Sequence, residues 1–222
     1  LSAPPERLAI GRHSGPGLRL IFWVQGCSLL CTRHCLNPHL LKRDGGCPIP
    51  ASRLTTMLLQ FAQDYREVEG VTVLGGEPFD QAQALVAALA PVRSAGLSLM
   101  LYTGHTIETL RTSDDAASQQ LLGLCDILVD GPFIDELYDE SLIWCGSRNQ
   151  RILCLSERYN EQDIEQARLR QRRALAFSTG RRGDLAISGA QSLPVANRLR
   201  ALTATMEKDR PTNSKGAGPN EQ

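Results

Sequence analysis

The chain has 222 residues, 42% of them hydrophobic, and its 24 basic and 24 acidic side chains give a formal net charge of zero. This length and composition predict one soluble globular domain with a sizeable core and room for an appendage. The balanced charge argues against a general attraction to nucleic acid or to an anionic membrane surface. No apolar run reaches the roughly 20 residues that a membrane-spanning helix needs, so no membrane partner is expected.

The first predicted elements are a strand, a helix and a second strand. Residues 18–26, "LRLIFWVQG", form an apolar, β-rich run that ends in glycine, which predicts a buried strand leading into a group of cysteines. From Pro50 to about Val68 the apolar residues recur at helical spacing. The stretch "VTVLGG" then predicts a short buried strand.

Strands and helices continue to alternate further along the chain. Asp80, with Gln83 three residues later, resembles a capping pair at the start of an Ala/Leu-rich helix that runs toward Pro91. Residues 106–123 are predicted to be helical in part. Three further strands are predicted, at "LSLMLYTG", "CDILVDG" and "QRILCLS".

This alternation predicts an α/β fold of βα units with a mostly parallel sheet. A closed eight-unit barrel takes about 250 residues, so the part of this chain up to residue 158 holds only roughly four or five units. We therefore expect an incomplete, TIM-like barrel with one open side. Such sheets bind ligands at the carboxyl ends of their strands, where the sequence places the cysteines, "GGEP", "YTGH" and "DGPF".

The composition predicts two parts. Residues 1–158 are expected to form the partial-barrel domain, and residues 159–222 a C-terminal extension. The last stretch, "RPTNSKGAGPNEQ", is polar and rich in turn-forming residues, which predicts partial disorder. Within the extension, "DLAISGA" is expected to add a strand and "NRLRALTATMEKD" a short helix.

Three of the seven cysteines, Cys27, Cys31 and Cys35, stand within nine residues. An odd number of cysteines without an export signal favours the reducing cytoplasm over a disulfide framework, and there such a group is typical of a metal or redox site. Cysteine thiolates hold iron–sulfur clusters, and three of them on a four-iron cubane leave one iron open for a substrate. A zinc site with Cys47 as the fourth ligand is the alternative.

The stretch "TVLGGEPFDQ" favours the cluster. Gly75 and Gly76 permit a close backbone approach at a strand end, and Glu77 brings a carboxylate there. Alone, this pattern is typical of an ordinary strand-to-helix turn. Beside a loop with three cysteines, it indicates a cofactor site.

With these residues the sequence resembles the radical S-adenosylmethionine (SAM) enzymes, and more closely the activating proteins of anaerobic ribonucleotide reductase. The resemblance runs from "SGPGLRLIFWVQGC", which begins at Ser14, through "LGGEP" and "LYTGHTIETL" to "DILVDGPFIDELYDESLIWCGSRNQRI", which ends at Ile152. The "SLIWCGSRNQ" stretch is its most distinctive part.

The resemblance implies an enzyme with two cofactors. Cys27, Cys31 and Cys35 would be the catalytic metal ligands of a [4Fe–4S] cluster, whose open iron binds the amino and carboxylate groups of SAM. The "GGEP" turn, with Gly76 at its centre, would hold the methionine end of SAM. The reduced cluster would pass one electron to SAM and give a 5′-deoxyadenosyl radical, which removes a Cα hydrogen from a glycine of a partner enzyme.

Further residues are expected to line the SAM site. His34 stands just before Cys35, where family members contact the adenine of SAM, and Leu36 follows Cys35. Gly75 and Glu77 belong to the "GGEP" turn. The carboxylate of Asp130, at the end of "DILVD", either faces SAM or caps a turn. In "YTGH", Thr103 and His105 are weaker candidates, because turn residues are common at strand ends.

The sequence departs from the family pattern at two places. The family has Cys-x3-Cys-x2-Cys, whereas here the second interval is one residue longer and His34 stands where the third cysteine is expected. Cys35 is the preferred ligand, because "CLNP" matches the family's third cysteine and the residues after it. His34 is then a neighbour of SAM, an alternative ligand or a loop residue without a role, and a degenerate site without a cluster is a further alternative. The second departure is Cys145, where the family usually has arginine.

The resemblance also implies protein partners. The substrate would be a glycyl radical enzyme similar to anaerobic ribonucleotide reductase, which reaches the radical through the open side of the barrel. A flavodoxin-like or other low-potential protein would donate the electron. Two alternatives stay open: a radical SAM enzyme that modifies another protein or peptide, and a non-catalytic iron–sulfur or zinc protein whose site is closed by Cys47 or His34.

Overall fold

The computed structural model describes residues 8–32 and 35–171, together with the backbone of residues 2–3, 176–179 and 185–188. The strands are β1 (Ser2–Ala3), β2 (Leu8–Gly11), β3 (Leu18–Val24), β4 (Cys47–Pro48), β5 (Val68–Gly75), β6 (Ser98–Tyr102), β7 (Ile127–Asp130), β8 (Arg151–Cys154), β9 (Ala176–Thr179) and β10 (Leu185–Ser188). The α-helices are α1 (Ala51–Asp64), α2 (Ala82–Ser94), α3 (Ile107–Arg111), α4 (Ala116–Leu124) and α5 (Glu161–Arg170). Short 3-10 helices cover Pro38–Leu40, Arg43–Gly45, Pro78–Gln81 and Asp135–Leu137.

One open sheet contains β2, β3, β5, β6, β7 and β8 in that order. Neighbours among β3, β5, β6 and β7 pair in parallel, whereas the edge strands β2 and β8 are antiparallel to β3 and β7. The predicted α/β fold with a mostly parallel sheet is therefore confirmed. The strand "QRILCLS" forms β8, but it does not continue the parallel series, because the described connection 131–150 contains no α-helix that would carry the chain back across the sheet.

The parallel strands are buried on both faces, which explains their continuous apolar runs. On one face, Leu20, Val73 and Leu101 pack against the helices. The helices contribute their apolar stripes, which contain Leu54, Leu58, Leu85, Leu89, Leu110 and Leu121. The predicted helix after Pro50 is confirmed as α1, but it ends at Asp64 rather than near Val68, where β5 begins. The partly helical segment 106–123 is confirmed as α3 and α4.

The predicted capping pair is wrong. Helix α2 begins at Ala82, one residue after the 3-10 helix Pro78–Gln81, and it continues past Pro91 to Ser94. Asp80 therefore lies before the helix, in the 3-10 turn whose start is capped by the side chain of the preceding residue, Glu77. The carboxylate of Asp80 instead contacts the cysteine loop at Ser28.

A buried arginine lies at the amino end of the parallel strands. The guanidinium of Arg19 donates from Nε to Thr72 Oγ1 (2.7 Å), from Nη1 to Pro16 O (3.2 Å) and Ser98 Oγ (2.9 Å), and from Nη2 to Val71 O (2.8 Å) and Ser98 O (3.1 Å). All five N–H groups of the side chain thus have an acceptor. Burial lowers the pKa of Arg19.

The chain after β8 packs back onto the second face of the sheet. Ile164 of α5 is buried with Trp144 and Val129. The indole N–H of Trp144 donates to Gln171 Oε1 (2.6 Å), and Gln171 Nε2 donates to the carbonyl of Gly15 (2.6 Å).

The predicted strand "DLAISGA" is confirmed as β10, which pairs antiparallel with β9. The helix predicted at "NRLRALTATMEKD" lies outside the described residues. In the part of the chain that the structure describes, no helix is both long and apolar enough to cross a membrane.

Candidate functional site

Hydrogen bonds join the segments that follow the four parallel strands. After β3 and β5, the N–H of Gly76 donates to Val24 O (2.8 Å). After β6 and β7, the N–H of Gly131 donates to His105 O (2.9 Å). Thr32, in the cysteine loop, donates to Asp135 Oδ2 (2.5 Å), beyond "DGPF". The structure therefore brings the cysteine loop, "GGEP", "YTGH" and "DGPF" together at one edge of the sheet, as the sequence predicts.

The two glycines of "GGEP" allow a contact that no side chain would permit. Gly75 has a positive φ of 118°, and a Cβ on it would lie 2.3 Å from Val24 O. A Cβ on Gly76 would lie 1.9 Å from Gly26 O. The N–H of the next residue, Glu77, donates to the same Gly26 carbonyl (2.8 Å). The glycines thus press the turn against the residue just before Cys27.

The carboxylate of Glu77 connects the second and third strand ends. The residue is 1% exposed. Its Oε1 accepts from Thr103 Oγ1 (2.9 Å) and from the N–H of Phe79 (3.0 Å), and its Oε2 accepts from the N–H of Gly104 (3.0 Å). Burial raises the pKa of Glu77 to about 7, although the donated hydrogen bonds oppose the shift. Contact of Glu77 with SAM stays a prediction, whereas its role in the turn is visible.

The loop that carries the cysteines is fastened at its base. The N–H groups of Gly26 and Cys27 donate to the carbonyls of Leu40 (2.8 Å) and Leu41 (3.0 Å). The Gln25 amide donates to the carbonyls beyond the loop, of which the Lys42 carbonyl is 2.6 Å away. Residues 25–27 and 40–42 therefore form a neck, and the thiols lie on the loop that it closes.

Backbone N–H groups lie near two of the three clustered thiols. Cys27 and Cys35 are half-buried, Cys31 is exposed, and none of the three forms a disulfide. Burial raises the pKa of Cys27, although hydrogen bonds from the backbone of Leu30 and Leu29 oppose the shift. The N–H of Asn37 donates to Cys35 Sγ (3.4 Å). Backbone N–H groups directed at cysteine sulfurs are among the features that tune iron–sulfur clusters, so this donor set fits an iron–sulfur cluster.

A single-ion site is not formed by the same residues. Within residues 8–32 and 35–171, no three His, Cys, Asp or Glu side chains are grouped so that they could hold one metal ion. In a cubane each thiolate binds a different iron, so the thiolates stand farther apart than the ligands of one ion. Cys47, the alternative zinc ligand, is exposed in β4 and pairs with Ala3 of β1. His34 lies outside the described residues.

Asp130 is engaged by protein groups. Its buried carboxylate accepts from the N–H of Ile107 (2.8 Å), the first residue of α3, and from Arg151 Nε (2.9 Å). Arg151 also donates to both carboxylate oxygens of Glu108 (3.0 and 2.7 Å). These carboxylates raise the pKa of Arg151. Asp130 thus binds the first N–H of α3, whose N-cap is Thr106, and contact of Asp130 with SAM stays a prediction.

The distinctive stretch "GSRNQ" holds the loop after β7. Gln150 donates to the carbonyl of Gly131 (3.1 Å) and accepts from the N–H of Gly146 (2.7 Å). The amide of Asn149 donates to Pro132 O (2.7 Å), while its Oδ1 is buried without a hydrogen-bond partner among the described residues. The sequence marks this stretch as distinctive, but its contacts depend on the register of β8 and could not be predicted.

Cys145 lies apart from the three clustered cysteines. It lines a cavity of about 270 Å³ together with Cys154 of β8 and Arg168 of α5. Burial raises the pKa of Cys145 to about 11. Cys125, by contrast, is buried in the core.

Four residues that the sequence did not connect with the hold on the cysteine loop act there. They form the pairs Ser28–Asp80 and Thr32–Asp135. Their partners are 52 and 103 residues apart in the chain, so local patterns carry no signal for them.

Comparison with known proteins agrees with this arrangement. A family model described as a 4Fe-4S single cluster domain matches residues 13–153. The anaerobic ribonucleoside-triphosphate reductase-activating protein of Pasteurella multocida is 32% identical over 146 residues, which are 63% of this chain and 89% of the relative. Its namesake in Escherichia coli is 28% identical over 141 residues, 62% of this chain and 88% of the relative.

A relative with a different name shares part of the chain. The pyruvate formate-lyase-activating enzyme of Clostridium pasteurianum is 32% identical over 112 residues, 48% of this chain and 47% of the relative. The matched region of the family model begins just before β3 and ends within β8, so it contains every segment of the strand-end site. The resemblance seen in the sequence is thereby confirmed, and the chain is a member of the radical SAM family of activating enzymes, with its single-cluster iron–sulfur domain.

Proposed function

We propose that this enzyme generates a glycyl radical on a partner protein, and that the partner is an anaerobic ribonucleotide reductase. The observation that carries the proposal is the packing of "GGEP" against the residues next to Cys27, through the Gly76–Val24 and Glu77–Gly26 hydrogen bonds. This packing places the "GGEP" turn, whose backbone is suited to binding a small cofactor, next to the loop that carries the three thiols. The names of the relatives support the partner.

Cys27, Cys31 and Cys35 would hold three irons of a [4Fe–4S] cluster, and SAM would occupy the fourth. When bound, the cluster and SAM supply the electron and the carbon-centred radical that removes hydrogen from glycine. The residues of this chain orient both groups. The N–H groups behind Cys27 and Cys35 stabilise the negative charge of the thiolates, and Glu77 fixes the turn between them and β6.

The cofactor-binding residues that we propose are Gly75, Gly76, Glu77, Asp130 and the segment 34–36, which contains His34, Cys35 and Leu36. Gly75, Gly76, Glu77 and Asp130 lie at or next to the ends of β5 and β7, and Cys35 and Leu36 lie on the cysteine loop. The structure does not describe His34. The packing of Leu29 over Gly104 would help to keep water from the site, since a Cβ on Gly104 would lie 2.7 Å from Leu29 Cδ1.

The rim of the site suits a protein substrate. Leu30 is 62% exposed and Leu36 38% exposed, both on the cysteine loop. Exposed apolar side chains beside the site are available to a protein partner, because the centre of a protein–protein interface is apolar. An incomplete TIM-like barrel over residues 1–158, with its open side toward the partner and residues 159–222 as an extension, completes the proposal. We place the enzyme in the cytoplasm, with a flavodoxin-like or other low-potential protein as electron donor.

The test is electron paramagnetic resonance (EPR) on protein that is reconstituted with iron and sulfide without oxygen and then reduced, with and without SAM. We expect a [4Fe–4S]⁺ signal whose g-values change when SAM is added. Cys47→Ser is the matched control and should behave like the wild type. A signal that is indifferent to SAM, or one that Cys47→Ser abolishes, would instead indicate a closed metal site.

A second experiment tests the partner. The reconstituted enzyme is incubated with SAM, a reductant and an anaerobic ribonucleotide reductase, and the glycyl radical is measured by EPR. A doublet on the reductase that requires Cys27, Cys31 and Cys35 supports the assignment. A SAM-dependent cluster that leaves the reductase unchanged would favour another protein or peptide as the substrate.

A further inference from the structure

The end of "GGEP" and the 3-10 helix Pro78–Gln81 hold the cysteine loop on both sides of Cys27. Before Cys27, the N–H of Glu77 donates to Gly26 O (2.8 Å) and Gln81 Nε2 donates to Gln25 O (2.9 Å). After Cys27, Ser28 donates to the carboxylate of Asp80 through both of its donors. The N–H lies 2.7 Å from Oδ2 and the hydroxyl 2.6 Å from Oδ1.

The Asp80–Ser28 contact is positioned to hold the conformation of the cysteine loop. The side chain of Asp80 is 14% exposed, and both of its oxygens are used, so its direction is fixed. Arg43, from the far side of the loop, comes within 3.6 Å of Oδ2 but is 74% exposed, so its charge adds little. Charge-assisted hydrogen bonds to a carboxylate are the strong ones in proteins.

The loop needs such a hold because its backbone is strained. Leu30 has a positive φ of 43°, a region that residues other than glycine rarely occupy. Conformations of this kind cost on the order of 1–3 kcal/mol and persist where the surroundings impose them. Within the cysteine loop, the backbone of Leu29 and Leu30 forms hydrogen bonds to the Cys27 thiol. Ser28 is the residue that joins Cys27 to Leu29.

We propose that Asp80 is a positioning residue for the iron–sulfur cluster: its carboxylate holds the peptide group between Cys27 and Ser28 and so fixes the direction of the Cys27 sulfur. This inference rests on the proposed function, since it presumes that Cys27 is a cluster ligand. It adds a residue from the turn after "GGEP" to the machinery of the cluster. Asp80 acts there through Ser28 rather than by contact with a thiol or with SAM.

Two substitutions separate the contact from the charge. Asp80→Ala removes both hydrogen bonds. Asp80→Asn keeps two, because its carbonyl accepts from the Ser28 N–H while its amide donates to the Ser28 hydroxyl, but it removes the negative charge. Asp44→Ala is the matched control, because Asp44 is an exposed acid in the neighbouring 3-10 helix Arg43–Gly45.

The first measurement is the rate of iron release to a chelator from the reconstituted protein. We expect a several-fold faster release from Asp80→Ala, a rate close to the wild type for Asp80→Asn, and no change for Asp44→Ala. The second is the midpoint potential of the cluster, which should be more positive in Asp80→Asn because a negative charge near the cluster is lost. In the apoprotein, amide hydrogen exchange in residues 27–32 should be faster for Asp80→Ala than for Asp44→Ala.

The outcomes distinguish this inference from the proposed function. Equal release and exchange rates for Asp80→Ala and Asp44→Ala would overturn the positioning role, even if SAM changes the EPR signal of the wild type. A wild-type cluster that ignores SAM would contradict the proposed function, while the Asp80 comparison would still hold. If Asp80→Ala does not fold, Ser28→Ala replaces it, with an intermediate release rate expected and a wild-type rate counting against the inference.

Discussion

The carboxylate of Glu77 accepts a hydrogen bond of 2.9 Å from the hydroxyl of Thr103, and this contact joins the turns after β5 and β6. Both residues are buried, so the bond is shielded from water. A carboxylate in such a place is stable only because three protein donors surround it. Its ionisation is therefore linked to the stability of the whole strand-end site.

The first prediction concerns the pH dependence that this linkage gives. The pKa of Glu77 rises from 4.5 to about 7 on folding. Between these values the folded chain binds more protons than the unfolded chain, so the free energy of unfolding falls as the pH rises, by about 3 kcal/mol in all. The apoprotein of Glu77→Gln should lack this slope. Urea unfolding of both proteins between pH 5 and pH 8 measures this slope. If the free energy of unfolding depends on pH in the same way in both proteins, the raised pKa of Glu77 is contradicted.

The second prediction concerns the approach of Gly76 to Gly26. In Gly76→Ala, the added Cβ would lie 1.9 Å from a backbone oxygen, so the turn or the base of the cysteine loop must move. We expect a large loss of bound iron after reconstitution. Gly123→Ala is the control, because a Cβ there meets nothing within 4 Å, and it should keep its iron and gain up to about 1 kcal/mol from helix propensity. Equal iron content in the two variants would contradict the close approach.

The third prediction concerns the buried guanidinium. Arg19→Met should lower the free energy of unfolding by on the order of 3 kcal/mol, because it leaves the acceptors on Val71, Ser98 and Pro16 without their donors. Arg19→Lys should be intermediate, since an ammonium cannot reproduce the fork of five donors. Denaturant unfolding of the apoprotein measures both. The exposed Arg53→Met is the control, and the prediction fails if Arg19→Met is equally harmless.

The fourth prediction separates the two ion pairs of Arg151. In Arg151→Ala, Asp130 loses its cation while it stays buried, and Arg151 is itself 44% exposed, so water replaces part of the contact. We expect a loss of about 2 kcal/mol in the free energy of unfolding. Glu108→Ala removes only the exposed pair and should leave stability nearly unchanged. A similar loss of stability in both variants would show that the Arg151–Asp130 pair does not stabilise the protein more than the exposed Arg151–Glu108 pair.

Sequence patterns were sufficient for the elements that bury continuous or periodic apolar surface. The strand at residues 18–24, the part of β5 within "VTVLGG" and the helix α1 follow from such patterns, although the helix was expected to run to about Val68, where β5 begins. The four-residue edge strand β2 was missed, because only one of its residues is buried and the pattern is too short. The direction of β8 was not predictable either, since it depends on what the connecting loop can reach.

The site was predictable where glycine and cysteine carry the signal. Cys27, Cys31, Cys35, Gly75 and Gly76 were identified from spacing and resemblance. The contacts that hold the site together were not predicted, because Asp80 binds Ser28, Thr103 binds Glu77 and Arg151 binds Asp130 across strand ends whose neighbours are set by sheet register. Asp80 was even given another role, as a helix cap, since the sequence does not show where the preceding 3-10 turn ends.

The bridge from Trp144 through Gln171 to Gly15 has a consequence for biosynthesis. Gln171 donates to a carbonyl 156 residues earlier in the chain, so the segment before β3 receives this bond only after the last helix of the described part has been made. In a nascent chain that ends before residue 171, the carbonyl of Gly15 lacks this bond. The segment before β3 therefore gains this contact late in translation, after α5 has been made, rather than when the segment itself is made.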